Sequence, residues 1–322
     1  MHAIVVSTPG GPEVLEFTES EDPVPGPGEI LIDVAAAGVN FIDTYHRSGR
    51  YPLQTPFVLG VEGAGTVTAV GAGVAGVRVG DVVASHEIKG SYAPRAVLAA
   101  DRAVPVPDGV SAEDAAAAML QGMTAHYLTH SIAPVQPGDT VLVHAAAGGM
   151  GLLLTQVVKL RGGRVIGTVS TAEKEKLARD AGADEVIRYT ETDFAAETRR
   201  LTGGEGVSVV YDGVGGSTFD GSLASLRLRG MLALYGAASG PVPPFDIMRL
   251  AAGGGLFLTR PSLAHYTASR EELLERASDI LGWVRSGELR LHIGRRFDLA
   301  DARTAHEELE GRRTTGKLLL LP

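Results

Sequence analysis

The chain of 322 residues contains no cysteine, which excludes disulfides, thiolate catalysis and cysteine-ligated zinc. Lysine is scarce, five residues among 29 basic ones, so most positive charge is carried by Arg. Positive charge as a whole is in deficit: a formal net charge of -9 disfavours nonspecific binding to nucleic acid or anionic lipid, which needs a basic face. No nucleic-acid partner is expected. No apolar run approaches the roughly 20 residues of a membrane-spanning helix. The opening MHAIVVSTPGG also lacks the charged lead and long apolar segment of a secretion signal, so a cytoplasmic protein without membrane attachment is expected. What remains is globular in composition, 44% hydrophobic and 21% charged, and long enough that a division into two domains is the expectation.

Glycine, by contrast, is abundant at 42 residues, and one cluster of it carries information. In TVLVHAAAGGMGLLLTQVVKL, residues 140 to 160, an apolar strand (Val141, Leu142, Val143) runs into a small-residue turn and then into an amphipathic helix. Ala145, Gly148 and Gly151 stand in an A-x-x-G-x-x-G spacing, a variant of the dinucleotide fingerprint. The first small residue permits a tight turn, the second lets the backbone approach a pyrophosphate, and the third lets the helix lie close on the sheet. Unpaired N–H groups at the helix start, around Gly149 and Met150, then face the anion. The spacing alone also occurs at ordinary turns; the flanking strand and helix give it weight.

The next strand, Arg164 to Val169, indicates which nucleotide. A site for NADH normally places a carboxylate at this strand tip to accept from the ribose 2'-hydroxyl. Here the tip reads Ser170, Thr171, Ala172, Glu173, Lys174. Hydroxyls followed one helical turn later by an ammonium suit a 2'-phosphate, and NADPH is therefore expected. Ser170 and Thr171 also read as caps of the following helix, with Lys174 as a solvated charge.

Residues 1 to about 105 form short strands broken by Gly and Pro: HAIVVS, VLEFTES, EILIDVAAAGV, GAGTVTAV, DVVASHE and YAPRAVL. That texture predicts a compact barrel-like β domain. Ser111 with Asp114 predicts a capping box opening the alanine-rich helix SAEDAAAAMLQGMTAHYLTH. From Asp139 strands and helices alternate through about six strands, including VSVVYDGV, a helical FDGSLASLRLRG, then MLALYGA and GLFLT, which implies a parallel sheet with crossover helices. Two helices and a terminal strand GKLLLLP follow Pro261, and this tail is expected to return to the first domain. His126 and His130 lie i, i+4 and read as a surface pair near a helix end rather than a metal site. His144 reads as a hydrogen-bonded core residue.

Several longer stretches carry a resemblance: GGPEVLEF at 10–17, GVNFIDTYHRSGRYP at 38–52, GVEGAGTV at 60–67, HAAAGGMG at 144–151, GTVSTAEK at 167–174, VVYDGVG at 209–215 and TRPSL at 259–263. Collinear over nearly the whole length, the chain resembles the NADPH-dependent quinone oxidoreductases of the zeta-crystallin type, in the zinc-free branch of the medium-chain dehydrogenase/reductase superfamily. The resemblance implies an α/β protein: a GroES-like β-rich catalytic domain (1–122 and 262–322), a Rossmann domain with a doubly wound parallel sheet (123–261), and a cofactor cleft at their junction. In the zinc-bearing branch a Cys and a His ligate the metal where this chain has Asn40 and Val61, so no metal is expected.

Without a metal, carbonyl polarisation must come from hydrogen bonds, and a quinone, already a strong electrophile, suits such a site. The resemblance places Asn40 on the nicotinamide side of the cofactor, with Tyr45 and Tyr51 lining the cleft as further donors. Asn40 satisfying its own turn and the tyrosines packing as ordinary amphipathic residues are the alternatives. Asp43 reads as a structural acceptor within the loop. The same comparison assigns cofactor contacts to Phe41, Thr124, Ala145, Gly148, Gly149, Met150, Gly151, Ser170, Thr171, Lys174, Tyr189, Gly213, Gly215, Gly236, Ala237 and Arg312. A strand-end aromatic and a solvated charge stand as equal alternatives for Tyr189 and Arg312. Met150 replaces the usual Val or Ile, a change the helix start tolerates. The expected activity is NADPH-dependent quinone reduction, by hydride or single-electron transfer. Reduction of enones and enals is the nearest alternative, and a noncatalytic nucleotide- or RNA-binding protein the alternative of another class. The family also implies a homodimer paired through Leu256 to Thr259.

Overall fold

The computed structural model describes residues 1–322, and the chain divides into two compact units. Met1–Met123 and Thr267–Pro322 form the first; Thr124–Tyr266 form the second.

The first unit holds β1 (His2–Val6), β2 (Leu15–Glu19), β3 (Glu29–Val39), α1 (Phe41–Arg47), β4 (Phe57–Val58), β5 (Glu62–Val70), β6 (Val82–Ser85), β7 (Arg95–Ala99) and β8 (Val104–Pro105). Helix α2 (Ala112–Tyr127) follows, opened by Ser111, whose Oγ accepts the Asp114 N–H at 3.0 Å. A seven-stranded sheet is built around β3, whose eleven residues alternate buried and outward positions before becoming wholly buried at Ala36–Val39. The returning tail supplies α8 (Arg270–Ser286), β15 (Ile293–Asp298), α9 (Ala302–Glu310) and β16 (Lys317–Leu321). β16 pairs antiparallel with β3, Leu318 opposite Val39, so the end of the sequence is built into the same sheet as residues 29–39. Ile30, Ile32, Leu98, Phe297, Leu318 and Leu320 lie in its core.

The second unit holds β9 (Thr140–Val143), α3 (Gly149–Leu160), β10 (Arg164–Val169), α4 (Ala172–Asp180), β11 (Glu185–Arg188), α5 (Phe194–Leu201), β12 (Val207–Asp212), α6 (Phe219–Ser225), β13 (Leu226–Leu234), α7 (Met248–Ala252) and β14 (Phe257–Thr259). All neighbouring strands are parallel, in the order β11-β10-β9-β12-β13-β14. Counted within the unit this is 3-2-1-4-5-6, the doubly wound Rossmann order, and the direction of winding reverses between β9 and β12. The glycine turn leaves the carboxyl end of β9, and residues 213–215 leave that of β12.

Two expectations change. The helix expected over 219–230 stops at Ser225, because Arg199 donates to the carbonyls of Ala224 (2.9 Å) and Leu226 (2.7 Å) and holds the chain out of helical register; Leu226 then pairs with Val207 and β13 begins. His126 and His130 are not a surface pair either. Their rings stack at 4.0 Å with His126 buried, beside the π-helical turn Leu128–Ile132 that extends α2, and no third ligating side chain is gathered there.

Candidate functional site

The glycine turn has the conformation its spacing predicts. Ala145 adopts a left-handed backbone (φ 51°), the Gly148 N–H returns to the Ala145 carbonyl at 2.8 Å, and the Ala146 N–H bonds Thr168 of the next strand at 3.0 Å. α3 begins immediately, with Gly148 as its N-cap. The first intrahelical bond runs from the Leu152 N–H to the Gly148 carbonyl at 2.9 Å, so the amides of Gly149, Met150 and Gly151 have no partner within the helix and make an anion cradle. Gly151 has a sharper reason than the one expected for it: a Cβ there meets the Ala145 carbonyl oxygen and comes within 2.5 Å of the Ala146 Cα. The constraint is the turn's own backbone rather than the sheet.

At the tip of β10, Thr171 is the N-cap of α4, its hydroxyl accepting the Lys174 N–H at 3.3 Å. Ser170 takes no part in that cap; its carbonyl accepts from the Thr190 hydroxyl at 3.0 Å. Glu173 shares the first turn, its carboxyl held below the usual range by its own backbone N–H and by the Thr171 hydroxyl. The tip thus offers hydroxyls, a helix N-terminus and Lys174, with one carboxylate among them.

Beside the turn, Asp212 at the end of β12 organises the next loop. One carboxylate oxygen accepts the N–H groups of Val214 (2.8 Å) and Gly215 (3.0 Å), and the other accepts the hydroxyls of Thr218 (2.7 Å) and Ser222 (2.8 Å). Since Ser222 gives its only hydrogen to a carboxylate, its oxygen must receive the Nε2–H of His144 at 3.0 Å, leaving Nδ1 to accept from Thr168 at 3.0 Å. His144 is the buried, neutral core residue expected, with burial lowering its basicity. It ties the strand before the turn to the loop carrying Gly213 and Gly215. That loop lies so close to the one after β13 that a Cβ on Gly236 would sit 2.8 Å from the Gly213 Cα. Ala237 is buried beside them.

In the first unit, Asn40 follows β3 and caps α1. Its amide is buried and committed: Nδ2 donates to the Gly38 carbonyl (3.2 Å) and to Glu62 (2.7 Å), while Oδ1 accepts from Lys317 (2.7 Å) and Gln121 (3.4 Å). Both Nδ2 hydrogens are engaged, so the Asn40 amide is anchored at the start of α1. Glu62 and Lys317 went unread in the sequence. Asp43 is the structural acceptor expected, taking the Asn40 N–H (2.8 Å) and the Tyr92 hydroxyl (3.1 Å). Burial pushes its carboxyl up to about 7. Beyond Tyr92 the chain continues to His306 (3.2 Å), Arg47 (3.0 Å) and Glu310. Arg47 can only donate, so His306 accepts at Nδ1 and donates from Nε2 towards Tyr92. Burial, reinforced by Arg47, holds this imidazole down to about 3.

Tyr45 and Tyr51 meet edge-to-face at 5.3 Å, with the Arg50 guanidinium 4.6 Å over the Tyr45 ring; Tyr51 is 39% exposed and Tyr45 half-buried. Phe41 is half-buried at the start of α1, and Thr124 is buried in α2. Tyr189 is exposed just past β11, and Arg312 is exposed with a left-handed backbone after α9.

Two family models match the chain: the alcohol dehydrogenase GroES-like domain over residues 26–133 and the zinc-binding dehydrogenase over residues 149–279. With the β-rich first unit and the 3-2-1-4-5-6 sheet of the second, they define a medium-chain dehydrogenase/reductase. A quinone oxidoreductase of Pseudomonas aeruginosa is 45% identical over 97% of this chain and 97% of its own. A 2-haloacrylate reductase of a Burkholderia species is 42% identical over 99% of this chain and 98% of its own. A mycobacterial protein solved in complex with NADPH superimposes with a TM-score of 0.98 at 55% identity, covering 100% of both chains. The chain belongs to the quinone oxidoreductase family of that superfamily.

Proposed function

We propose that this chain is an NADPH-dependent quinone oxidoreductase. The observation that carries the reading is the pairing of a pyrophosphate cradle at Gly149–Gly151 with a strand tip that presents Ser170, Thr171 and Lys174 where an NADH site presents a carboxylate. The residues fit the cofactor: the first amides of α3 and its dipole would hold the pyrophosphate, and Thr171 and Lys174 the 2'-phosphate. The Asp212 network fixes the backbone of residues 213–215 for the nicotinamide side, where Gly236 and Ala237 also contribute. When bound, NADPH supplies the hydride.

The tyrosines at 45 and 51 offer ring faces and hydroxyls to a flat, electrophilic substrate, and the oxyanion formed is met by their O–H groups or by water. Asn40 fixes the start of α1, which carries Tyr45. Phe41, Thr124, Tyr189 and Arg312 complete the proposed cofactor contacts. The 2-haloacrylate reductase relative favours one second reading, reduction of activated alkenes, which needs the same hydride donor.

The first unit is the proposed catalytic domain and the second the proposed nucleotide domain. β14 lies at the edge of its sheet with Phe257 55% exposed, and pairing of this strand with its twofold mate would give a homodimer; a monomer by light scattering refutes it. No helix is long and apolar enough to cross a membrane, and we place the protein in the cytoplasm. The test follows loss of nicotinamide absorbance with NADPH or NADH against 1,4-benzoquinone, 9,10-phenanthrenequinone and an enone. Turnover of quinones with NADPH is expected. Equal use of NADH overturns the cofactor reading, and turnover of the enone alone overturns the quinone reading.

A further inference from the structure

Lys317 opens β16, five residues before the chain ends, and is 3% exposed. The antiparallel β16–β3 register, with Leu318 opposite Val39, sets Lys317 at the level of Asn40. Its ammonium lies 2.7 Å from Asn40 Oδ1 and 2.5 Å from Glu62 Oε2. The other Glu62 oxygen accepts the Leu120 N–H at 2.6 Å, a peptide in the middle of α2. Gly38 makes room for the pair: a Cβ there meets the Glu62 carboxylate and stands 2.9 Å from the Lys317 Cε.

The chemistry admits one orientation of the Asn40 amide. An ammonium only donates and a carboxylate only accepts, so the oxygen must face Lys317 and the nitrogen Glu62; an amide flip sets donor against donor and acceptor against acceptor. Stability alone is a poor account of such a pair, because well-packed apolar replacements of a buried ion pair are often neutral or stabilising. What the pair does that apolar residues cannot is hold β3, β5, α2 and the N-cap of α1 to a single polar geometry.

We infer that Lys317 is a positioning residue for hydride transfer, locking the Asn40 amide and thereby the start of α1 with Tyr45 behind it. This rests on the proposed reading of α1 as the nicotinamide side. Lys317 need not touch substrate or cofactor; it acts through Asn40.

The test compares wild type, Lys317→Met and the double variant Glu62→Gln/Lys317→Met, using thermal unfolding, NADPH binding by titration, and turnover of 9,10-phenanthrenequinone with NADPH or 4-deuterated NADPH. Lys317→Met alone strands a buried carboxylate and is expected to lower the melting temperature. The double variant removes both charges and is expected to recover the melting temperature, and NADPH affinity to within about twofold, while kcat stays about tenfold below wild type, the size of loss that misplaced reacting groups produce. The deuterium isotope effect on kcat should rise, because a misaligned transfer step becomes more rate-limiting. Recovery of kcat together with the melting temperature overturns the role and leaves the pair structural, and so does a low kcat with an unchanged isotope effect. A wild-type protein that oxidises no NADPH with any quinone or enone overturns the functional reading, and this role with it.

Discussion

The two units each bury a polar cluster behind a functional loop, and they build it from different materials. Around Asn40 the first unit uses ions: Glu62, Lys317 and Arg47 are buried, with the titratable Asp43 and His306 buried beside them. Behind the glycine turn the second unit uses one carboxylate, Asp212, met by two N–H groups and two hydroxyls and extended through neutral Ser222, His144 and Thr168. A carboxylate with four donors is stabilised by charge-assisted hydrogen bonds and needs no buried cation. Ion pairing, in contrast, makes each member depend on its partner, since removing one strands the other in a medium that penalises charge. The first unit should therefore be brittle to single substitutions and the second forgiving, except where backbone meets backbone.

The largest effect is expected at Glu62. Glu62→Gln leaves the Lys317 ammonium buried among neutral amides and should cost about 3 to 5 kcal/mol, read from urea unfolding. Ser222→Ala in the second unit removes one neutral hydroxyl and leaves Asp212 three donors, so a loss of about 1 to 3 kcal/mol is expected. Equal losses at the two positions would break the comparison. The exception comes next in size: Gly151→Val forces a side chain against the Ala145 carbonyl and Ala146 Cα, an overpacking of about 1 to 3 kcal/mol, and should weaken NADPH binding in calorimetric titration far more than it weakens the fold.

How much of each cluster was legible in the sequence follows from the same contrast. The glycine turn, the Thr171 cap and the Ser111 cap are written within a few residues, and local spacing read with the flanking strand and helix patterns placed them. Asn40 was found through a local motif, yet its partners lie 22 residues away at Glu62, 81 at Gln121 and 277 at Lys317, distances over which no periodicity carries. Even so, a charged residue opening the otherwise apolar strand KLLLL was a signal, because a buried strand with one Lys asks where its counter-ion is. The early end of α6 was illegible for a similar reason. It depends on Arg199, 25 and 27 residues upstream, taking the carbonyls that a longer helix would have used.

The ionic cluster should also show in the pH dependence of stability, where two of its members act oppositely. Asp43, raised to about 7, holds a proton in the folded state that the unfolded chain releases near 4, so its contribution is full at low pH and is lost as pH rises towards 7. His306, lowered to about 3, is neutral when folded and takes up a proton on unfolding below about 6.5, so its contribution is lost as pH falls. Between about pH 4.5 and 6.5 the two slopes cancel. His306→Phe should uncover the Asp43 slope, with stability relative to wild type falling as pH rises by up to about 1.4 kcal/mol per unit; Asp43→Asn should tilt the difference the other way. Urea unfolding across that window measures both, and parallel profiles in all three proteins would show that neither group titrates as its burial dictates. His144→Phe, in the neutral cluster, should change the level of stability more than its slope above pH 6.5.

The smallest expected effect lies at the tip of β10, where neither cluster reaches. Lys174 follows Thr171 on an accessible turn, so its attraction for a 2'-phosphate is partly screened, and Lys174→Ala should cost about 1 to 2 kcal/mol of NADPH binding, roughly a tenfold rise in KM. Turnover at saturating NADPH should stay near wild type, because a contact made equally before and during hydride transfer lowers KM without raising kcat. Glu173 supplies the opposite sign. Its carboxylate takes the backbone and hydroxyl donors of the same helix start, so it competes with a phosphate there, and Glu173→Gln should lower the KM for NADPH by a smaller factor. Both shifts should shrink at high salt and be absent with NADH, which carries no 2'-phosphate. Equal changes in KM for the two cofactors would mean that the tip of β10 shapes the fold of α4 rather than reading the nucleotide.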